Sequence, residues 1–524
     1  MLDTTRSATY TPGSNRIGSA SGVPWLALLP SPEPGRVLAV GLPSVTALRA
    51  LGRASGSLTV RCRSRREARR ARAILAGTGA SVEMGSAWGT GYDLIVVARG
   101  APSDGLSAAL GPGGTLIREE TGTGAGIALT PSFGEVTAAA PASAPNARHA
   151  LERRGLWSGR VVLRALGRSR DVGGPWERLL HARRLVSTAE GPPAYLCRVA
   201  ADAGIDVSAM DWAMSAPGRY RSNKIVFFLF ERGAEVPAIA VKMTRDPELN
   251  GRLAIERDAL ERLAATGAMP AGAIPTVSFA GVEAGRALLG LGAVDGVPFA
   301  SVSERTSECP HLAAAFVQLE RLAAATAEPA AGSELGAHLR DILERFRALY
   351  RLSDGHRAVL EAGIAAIEAS PAPVPAVFQH GDPGVWNLLV AADGTVAFLD
   401  WEAAESRGVP LWDVFHLARS YAVMAGRAAG ERHPMRSIER LMITPGPINE
   451  MVGDVVRRYR DRIGVEPGMV EPLFHASWMH RALKEATRLA PGRLEGGHYL
   501  ALLRSGIDGR ATPGMRRLFG EEAG

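Results

Sequence analysis

Short apolar runs alternate with amphipathic stretches through the first part of the chain. VLAVGL (37–42), LTVRC (58–62), SVEMG (81–85), YDLIVVARG (92–100) and TLIREE (115–120) read as strands, with helical spacing between several of them. Apolar strands alternating with helices predict a parallel sheet covered on both faces, an α/β domain over residues 21–170. A short helix is expected to end in GPGG (111–114), and a helix and strand near 147–166 to complete the domain. Residues 1–20 are polar and small, which predicts a disordered tail.

Gly and Pro bracket a helical segment at 167–193, so residues 171–194 are expected to link two domains. Beyond them the pattern changes. Lys224–Phe230 and Val236–Met243 predict two adjacent strands joined by the turn-like ERGAE, followed by a helix over Leu249–Thr266. In that helix Glu256 shares a stripe with Leu253, Leu260 and Leu263 and is expected to point inward. Glu261, four residues after Arg257, is expected on the solvent side. A long helical half begins near His311. A sheet-rich lobe (195–298) before a helical lobe (299–515) outlines an α+β, two-lobed protein-kinase-like fold.

Composition narrows the setting. At 524 residues the chain is too long for one ordinary core, and 46% hydrophobic with 22% charged residues is usual for a soluble globular protein. Three distant cysteines, Cys62, Cys197 and Cys309, make neither a disulfide framework nor a zinc pattern, which fits a reducing cytoplasm. The N-terminus lacks an apolar leader, and the most apolar run, Ile225–Phe230, is too short to span a bilayer, so no membrane partner is expected. Seven arginines between Arg61 and Arg72 contribute much of the net charge of +7. Without interleaved aromatics they read as a solvated helix face, which argues against nucleic acid.

The richest chemistry lies in FQHGDPGVWNLLVAADGTVAFLDWE (378–402) and the GVPLWDVFHL that follows at 408–417. LLV and VAFL are short strands flanking Asp393-Gly394, a dipeptide favoured in two-residue hairpin turns. Such a turn sets Asn387 directly opposite Asp400, an amide and a carboxylate suited to a hard cation. Asp382 enters the same place from the preceding loop. Phosphoryl transfer asks for this set: oxygen ligands for metal ions, a cation on the phosphates, and a carboxylate beside the attacking hydroxyl.

Here the chain resembles the aminoglycoside phosphotransferase and choline kinase family, over roughly residues 195–510. The family's H-G-D-x-x-x-x-N-x-L motif is met at His380, Gly381, Asp382, Asn387 and Leu389. D-W-E is met at Asp400, Trp401 and Glu402, and P-L-W-D at Pro410 to Asp413. The resemblance implies an ATP-dependent phosphotransferase, GTP being an alternative donor, acting on a hydroxyl of a sugar, amino alcohol or aminoglycoside-like acceptor. It implies Asp382 as catalytic base and Asn387 and Asp400 as Mg2+ ligands, with Asp413 and His380 supporting the loop. Lys242, in AIAVKM, stands where the kinase fold holds nucleotide phosphates, with Glu256 as its expected partner. Ser222 and Asn223, in PGRYRSNK, are expected to cap phosphates through backbone N–H groups. Trp386, Trp401, Glu402 and Glu405 flank the hairpin and would suit an amine-bearing acceptor.

The first domain resembles the class I methyltransferase branch of Rossmann-like folds in YDLIVVARG and LGPGGTLI. Its first turn, GLPSVT, lacks the usual glycines, and its second strand ends in Arg61 and Arg63 where an acid would bind ribose hydroxyls. A degenerate domain is therefore expected. The competing readings are a bifunctional enzyme with an active methyltransferase, and a pseudokinase scaffold, against which Lys242, Asp382, Asn387 and Asp400 together argue. The chain should accordingly show no calorimetric binding of S-adenosylmethionine; a stoichiometric isotherm would favour the bifunctional reading.

Overall fold

The structure is a computed structural model. It describes residues 11–12, 31–43, 45–120 and 192–521, apart from residues 86, 99, 103–104, 217–219 and 235, with the strand backbones at 127–130, 135–139 and 184–187. Most of the expected tail at 1–20, the helix and strand near 147–166, and most of the linker at 171–194 lie outside the described residues. Two compact units result, one of Ile17–Leu253 with Val277–Ala293, the other of Met1–Arg16, Ala254–Thr276 and Val294–Gly524.

The first unit is built on one sheet. Strands β1 (Arg36–Val40), β2 (Ser57–Cys62), β3 (Ser81–Met84), β4 (Tyr92–Val97) and β5 (Leu110–Glu120) are parallel in the order β5-β4-β1-β2-β3, with helices α1 (Val45–Ala54) and α2 (Arg65–Ile74) between successive strands. Alternate side chains bury on opposite faces. Val37, Ala39, Leu94 and Val96 pack with Leu48 and Leu51, whereas Leu38, Val40, Ile95 and Val97 pack with Leu106 and Leu116. This is the Rossmann-like arrangement the pattern predicts. One detail differs: GPGG lies inside β5, after a short 3-10 turn at Leu106–Ala109. A Cβ at Gly114 would stand 2.6 Å from the Tyr92 carbonyl, so glycine lets β5 approach β4. Arg63 donates to the Gly100 carbonyl at 2.9 Å and pairs with Glu67, which sets a guanidinium beside the turn after β1, near Gly41. On α2, Ala68 and Ala71 are buried while Arg65, Arg66, Arg69 and Arg70 are exposed.

The same sheet continues through β8 (Arg184–Ser187), β6 (Ile127–Thr130) and β7 (Glu135–Ala139) to β9 (Asp211–Ala216), β10 (Ile225–Phe230), β11 (Ile239–Met243), β13 (Arg286–Gly292) and β12 (Val277–Glu283). These later pairings are antiparallel. In β11, Lys242 lies opposite Val226 of β10 and Leu289 of β13. Helix α3 (Ala194–Ala201) buries Tyr195, Leu196, Val199 and Ala200 against this part of the sheet.

The second unit holds most of α4 (Asn250–Thr266), where Leu253, Glu256, Leu260 and Leu263 are buried and Glu261 is exposed. It is otherwise mainly helical: α5 (Pro310–Thr326), α6 (Gly332–Leu349), α7 (Asp354–Glu368), α8 (Trp412–Ala428), α9 (Pro447–Ile463), α10 (Val470–Ala486) and α11 (His498–Asp508). Helix α8 is buried on nearly every side from Trp412 to Gly426, which makes it the central post of the unit. Strand β14 (Val297–Pro298) joins β16 (Leu388–Val390) and β17 (Val396–Phe398) in a small sheet, and β15 (Val377–Gln379) pairs with β18 (Glu405–Gly408).

The β16–β17 hairpin corrects the expected register. Leu388 pairs with Phe398 and Val390 with Val396, and Ala391 accepts from Gly394 while donating to Thr395. The loop is thus Ala392–Gly394, three residues long, with Gly394 left-handed at φ 86°. Asn387 consequently faces Leu399 and not Asp400; its carbonyl accepts the Leu399 N–H at 2.8 Å. A one-residue shift of this kind reverses which face each side chain takes. If the loop has this form, Gly394→Ala should cost about 1 kcal/mol of stability and Gly394→Asn much less, since asparagine tolerates the left-handed region. Equal melting temperatures for the parent and the alanine variant would contradict it.

Candidate active site

The loop between β15 and β16 carries Asp382, and a closed circuit of hydrogen bonds fixes it. The Asp382 N–H donates to His380 Nδ1 at 3.2 Å, which leaves the imidazole proton on Nε2, and Nε2 donates to the Leu399 carbonyl at 2.9 Å. The Leu399 N–H donates to the Asn387 carbonyl, and Asn387 Nδ2 donates to the Asp382 carbonyl at 2.9 Å. His380 is fully buried, its ring 4.3 Å from that of Trp401 and 5.8 Å from that of Phe398. These four residues thus tie the loop, the start of β16 and the end of β17 to one another.

Glycine makes the turn possible. Gly381 is left-handed at φ 76°, and a Cβ there would collide with the Ala403 carbonyl. Asp413, in the first turn of α8, clamps the same segment: its carboxylate accepts from the His380 N–H at 2.6 Å and the Gly381 N–H at 3.0 Å. Desolvation pushes the Asp413 carboxyl up to about 6, against the opposing pull of those N–H groups and Arg481.

The Asp382 carboxylate meets two groups that the sequence reading missed. Oδ1 lies 3.0 Å from Arg481 Nη1 of α10 and 2.9 Å from His416 Nε2 of α8. Arg481 also donates to the Gly381 carbonyl at 2.8 Å. Desolvation disfavours the Asp382 anion, but His416 and the charges of Arg481 and Lys484 outweigh it and hold the carboxyl well below the usual range. Burial, with help from Arg481, lowers His416 to about 3, so its ring is neutral. Arg481 lies 99 positions from Asp382, beyond any local pattern. His416 had a signal, since it falls in the GVPLWDVFHL segment three residues after Asp413.

Asp400 follows Leu399 and is itself left-handed, at φ 69°, before a 3-10 turn at Trp401–Ala403. Outside glycine, aspartate is among the few residues that adopt this region, and here it takes the backbone out of the strand conformation. The next N–H, of Trp401, donates to Glu256 Oε1 at 3.3 Å, so Glu256 supports the backbone beside Asp400.

The remaining sequence candidates fall in different places. Lys242, Ser222 and Asn223 belong to the first unit; Glu256, Asp382, Asn387, Asp400 and Asp413 belong to the second. The Asn223 N–H, expected to face phosphate, closes a turn onto the Tyr220 carbonyl at 3.0 Å, and its Oδ1 accepts the Tyr220 N–H at 2.8 Å. Trp386 is 56% exposed and edge-on to His416. Trp401 corrects its expectation: fully buried, with Nε1 donating to the Phe398 carbonyl, it is core packing. Glu402 and Glu405 are half-buried, and Glu405 begins β18.

A family model described as the phosphotransferase enzyme family matches residues 221–434. No curated protein matches the chain. Among solved structures, a choline/ethanolamine kinase family protein from Mesorhizobium loti is 16% identical, covering 56% of this chain and 88% of its own, with a TM-score of 0.31. An ethanolamine kinase from Plasmodium vivax is 14% identical over 59% and 81% of the two chains, with a TM-score of 0.34. A thermostable mutant of an aminoglycoside phosphotransferase, in complex with ADP and hygromycin B, is 18% identical over 55% and 91%, with a TM-score of 0.31. A methyltransferase from Pseudomonas syringae is 23% identical over 18% and 70%, with a TM-score of 0.17. Residues 221–434 therefore carry the sequence pattern of the phosphotransferase enzyme family.

Proposed function

We propose that this chain moves the γ-phosphoryl group of ATP onto an acceptor hydroxyl aligned by Asp382. The observation that carries the reading is the hydrogen-bonded circuit through Asp382, His380, Leu399 and Asn387. It holds the Asp382 backbone and the Asn387 carboxamide in fixed relation, one residue from left-handed Asp400.

Hard oxygen donors suit Mg2+, and Asn387 and Asp400 are the residues that would hold it; Asn387 is oriented for this because Nδ2 is bound to Asp382 and Oδ1 is the other end of the amide. When bound, Mg2+ neutralises phosphate charge. Lys242 is assigned to the nucleotide phosphates by its place in the strand, and Glu256 to the support of Asp400. In the transfer, the acceptor oxygen bonds to the γ-phosphorus as the bond to the β–γ bridging oxygen breaks, and ADP leaves. The hydroxyl proton passes to Asp382 and then to solvent. A carboxylate held ionised by Arg481 and His416 is a weak base, so it orients the hydroxyl and takes the proton late, as a loose transition state allows.

Two outcomes follow. Asp382→Asn should lower turnover by about 100- to 10,000-fold while Mg·ATP affinity stays near the parent value, because the group lies on the acceptor side. Asp400→Ala should weaken Mg·ATP binding as well as turnover. Calorimetry with steady-state kinetics separates the two, and an Asp382→Asn enzyme of near-parental turnover would remove the assigned role.

The pH profile distinguishes Asp382 from Asp413. Asp382 stays ionised throughout the working range, whereas Asp413 takes up a proton as the pH falls through about 6 and loses acceptor strength toward the loop N–H groups. Activity should therefore show an acid limb near pH 6, and Asp413→Asn should be slow and lack that limb. The linked stability term has the opposite sign. A folded value of about 6, above the ordinary 3.8, means the folded state binds the extra proton, so this contribution falls as pH rises between the two. An unchanged acid limb in Asp413→Asn would assign it elsewhere.

A further inference from the structure

One turn along α8 from His416 stands a cation that the transfer step does not use. Arg419 follows His416 by three residues on α8 and is only 8% exposed. Among the described residues its guanidinium has no ion pair or hydrogen bond; it lies over the Tyr499 ring with Cζ 4.9 Å from the centroid, and Nε is buried without a partner. A guanidinium whose Nε is buried with only a ring face for company carries an unmet cost, which a ligand bringing an anion would offset.

The surroundings connect this group to the acceptor side. Tyr499 of α11 also neighbours His416, at 6.5 Å between rings, and His416 touches Asp382. Exposed Trp386 stands edge-on over His416 at 5.7 Å and forms a rim. Two further cations lie on the same side: Arg481 contacts the Asp382 carboxylate, and Lys484 contributes to its ionisation. The acid next to Tyr499 is Glu485, which accepts the Tyr499 N–H at 3.3 Å and forms no ion pair with Arg419. Three residues along a helix advance about 5 Å, so Asp382 and Arg419 can address two ends of one small molecule.

We propose that Arg419 receives an oxyanion, carboxylate or phosphate, on the acceptor whose hydroxyl meets Asp382. The acceptor is then a hydroxy acid or a phosphorylated alcohol. This rests on the phosphotransferase reading and reverses the amine-bearing acceptor expected from Trp386, Trp401, Glu402 and Glu405, since Arg481 and Lys484 place two cations by Asp382 and Trp401 is core.

The test is calorimetric titration of the full chain with inorganic phosphate, after the nucleotide site is filled with Mg2+ and a non-hydrolysable ATP analogue. The parent should bind phosphate, and Arg419→Met, which keeps the stem on Tyr499, should bind it about tenfold or more weakly, the scale of one charge-assisted hydrogen bond. Arg419→Lys should keep most of the affinity, which guards against a misfolded methionine variant. Glycerate and glucose 6-phosphate, tested separately, tell carboxylate from phosphate by which displaces the ion, and glycerol, glucose and ethanolamine should displace nothing. A parent that binds no phosphate, or equal binding by Arg419→Met, overturns the inference. Failure of the phosphotransferase reading would show separately, as no affinity for the Mg·nucleotide analogue in the first injection series.

Discussion

The short bond from the Asp413 carboxylate to the His380 N–H is the constraint on which the site depends. With its second oxygen on Gly381, Asp413 fixes the start of the loop to the first turn of the most buried helix of its unit. His380 then passes that fixed position sideways, through its ring, to Leu399 and so to Asn387. Each link is a backbone or imidazole hydrogen bond in a buried place, where an unmade bond is expensive and a made one is geometrically exacting. Gly381 has to be glycine for the chain to turn between two such anchors.

Electrostatics follows from that geometry. Asp382 and Asp413 meet in the same loop, yet their carboxyls are driven apart: Asp413 upward by burial, Asp382 downward by His416 and Arg481 despite burial. On the function proposed above, these opposed shifts leave Asp413 as the structural acid and Asp382 as the one kept ionised for the acceptor. Neutral His416 gives Asp382 a neighbour without adding a second charge next to Arg481.

Much of this was legible in the sequence, because the elements involved are local. The parallel strands show as apolar runs, and the inward face of α4 shows in the spacing of Leu253, Glu256, Leu260 and Leu263. What stayed hidden has physical reasons. The hairpin register turned on whether Asp393-Gly394 closes a two- or a three-residue loop, and the dipeptide serves either. Trp401 has the polar tip of a pocket residue, but only the fold shows Phe398 taking its N–H. Arg481 and Tyr499 reach the site through helix packing across a hundred residues, for which the chain carries no periodic sign.

The central claim, transfer of phosphorus from ATP to an alcohol, is tested most directly by phosphorus NMR of the enzyme with Mg·ATP and a mixture of hydroxy acids and sugar phosphates. Loss of the γ resonance should be matched in amount by ADP and a phosphomonoester. ADP accompanied only by inorganic phosphate, or ATP left intact, would contradict it.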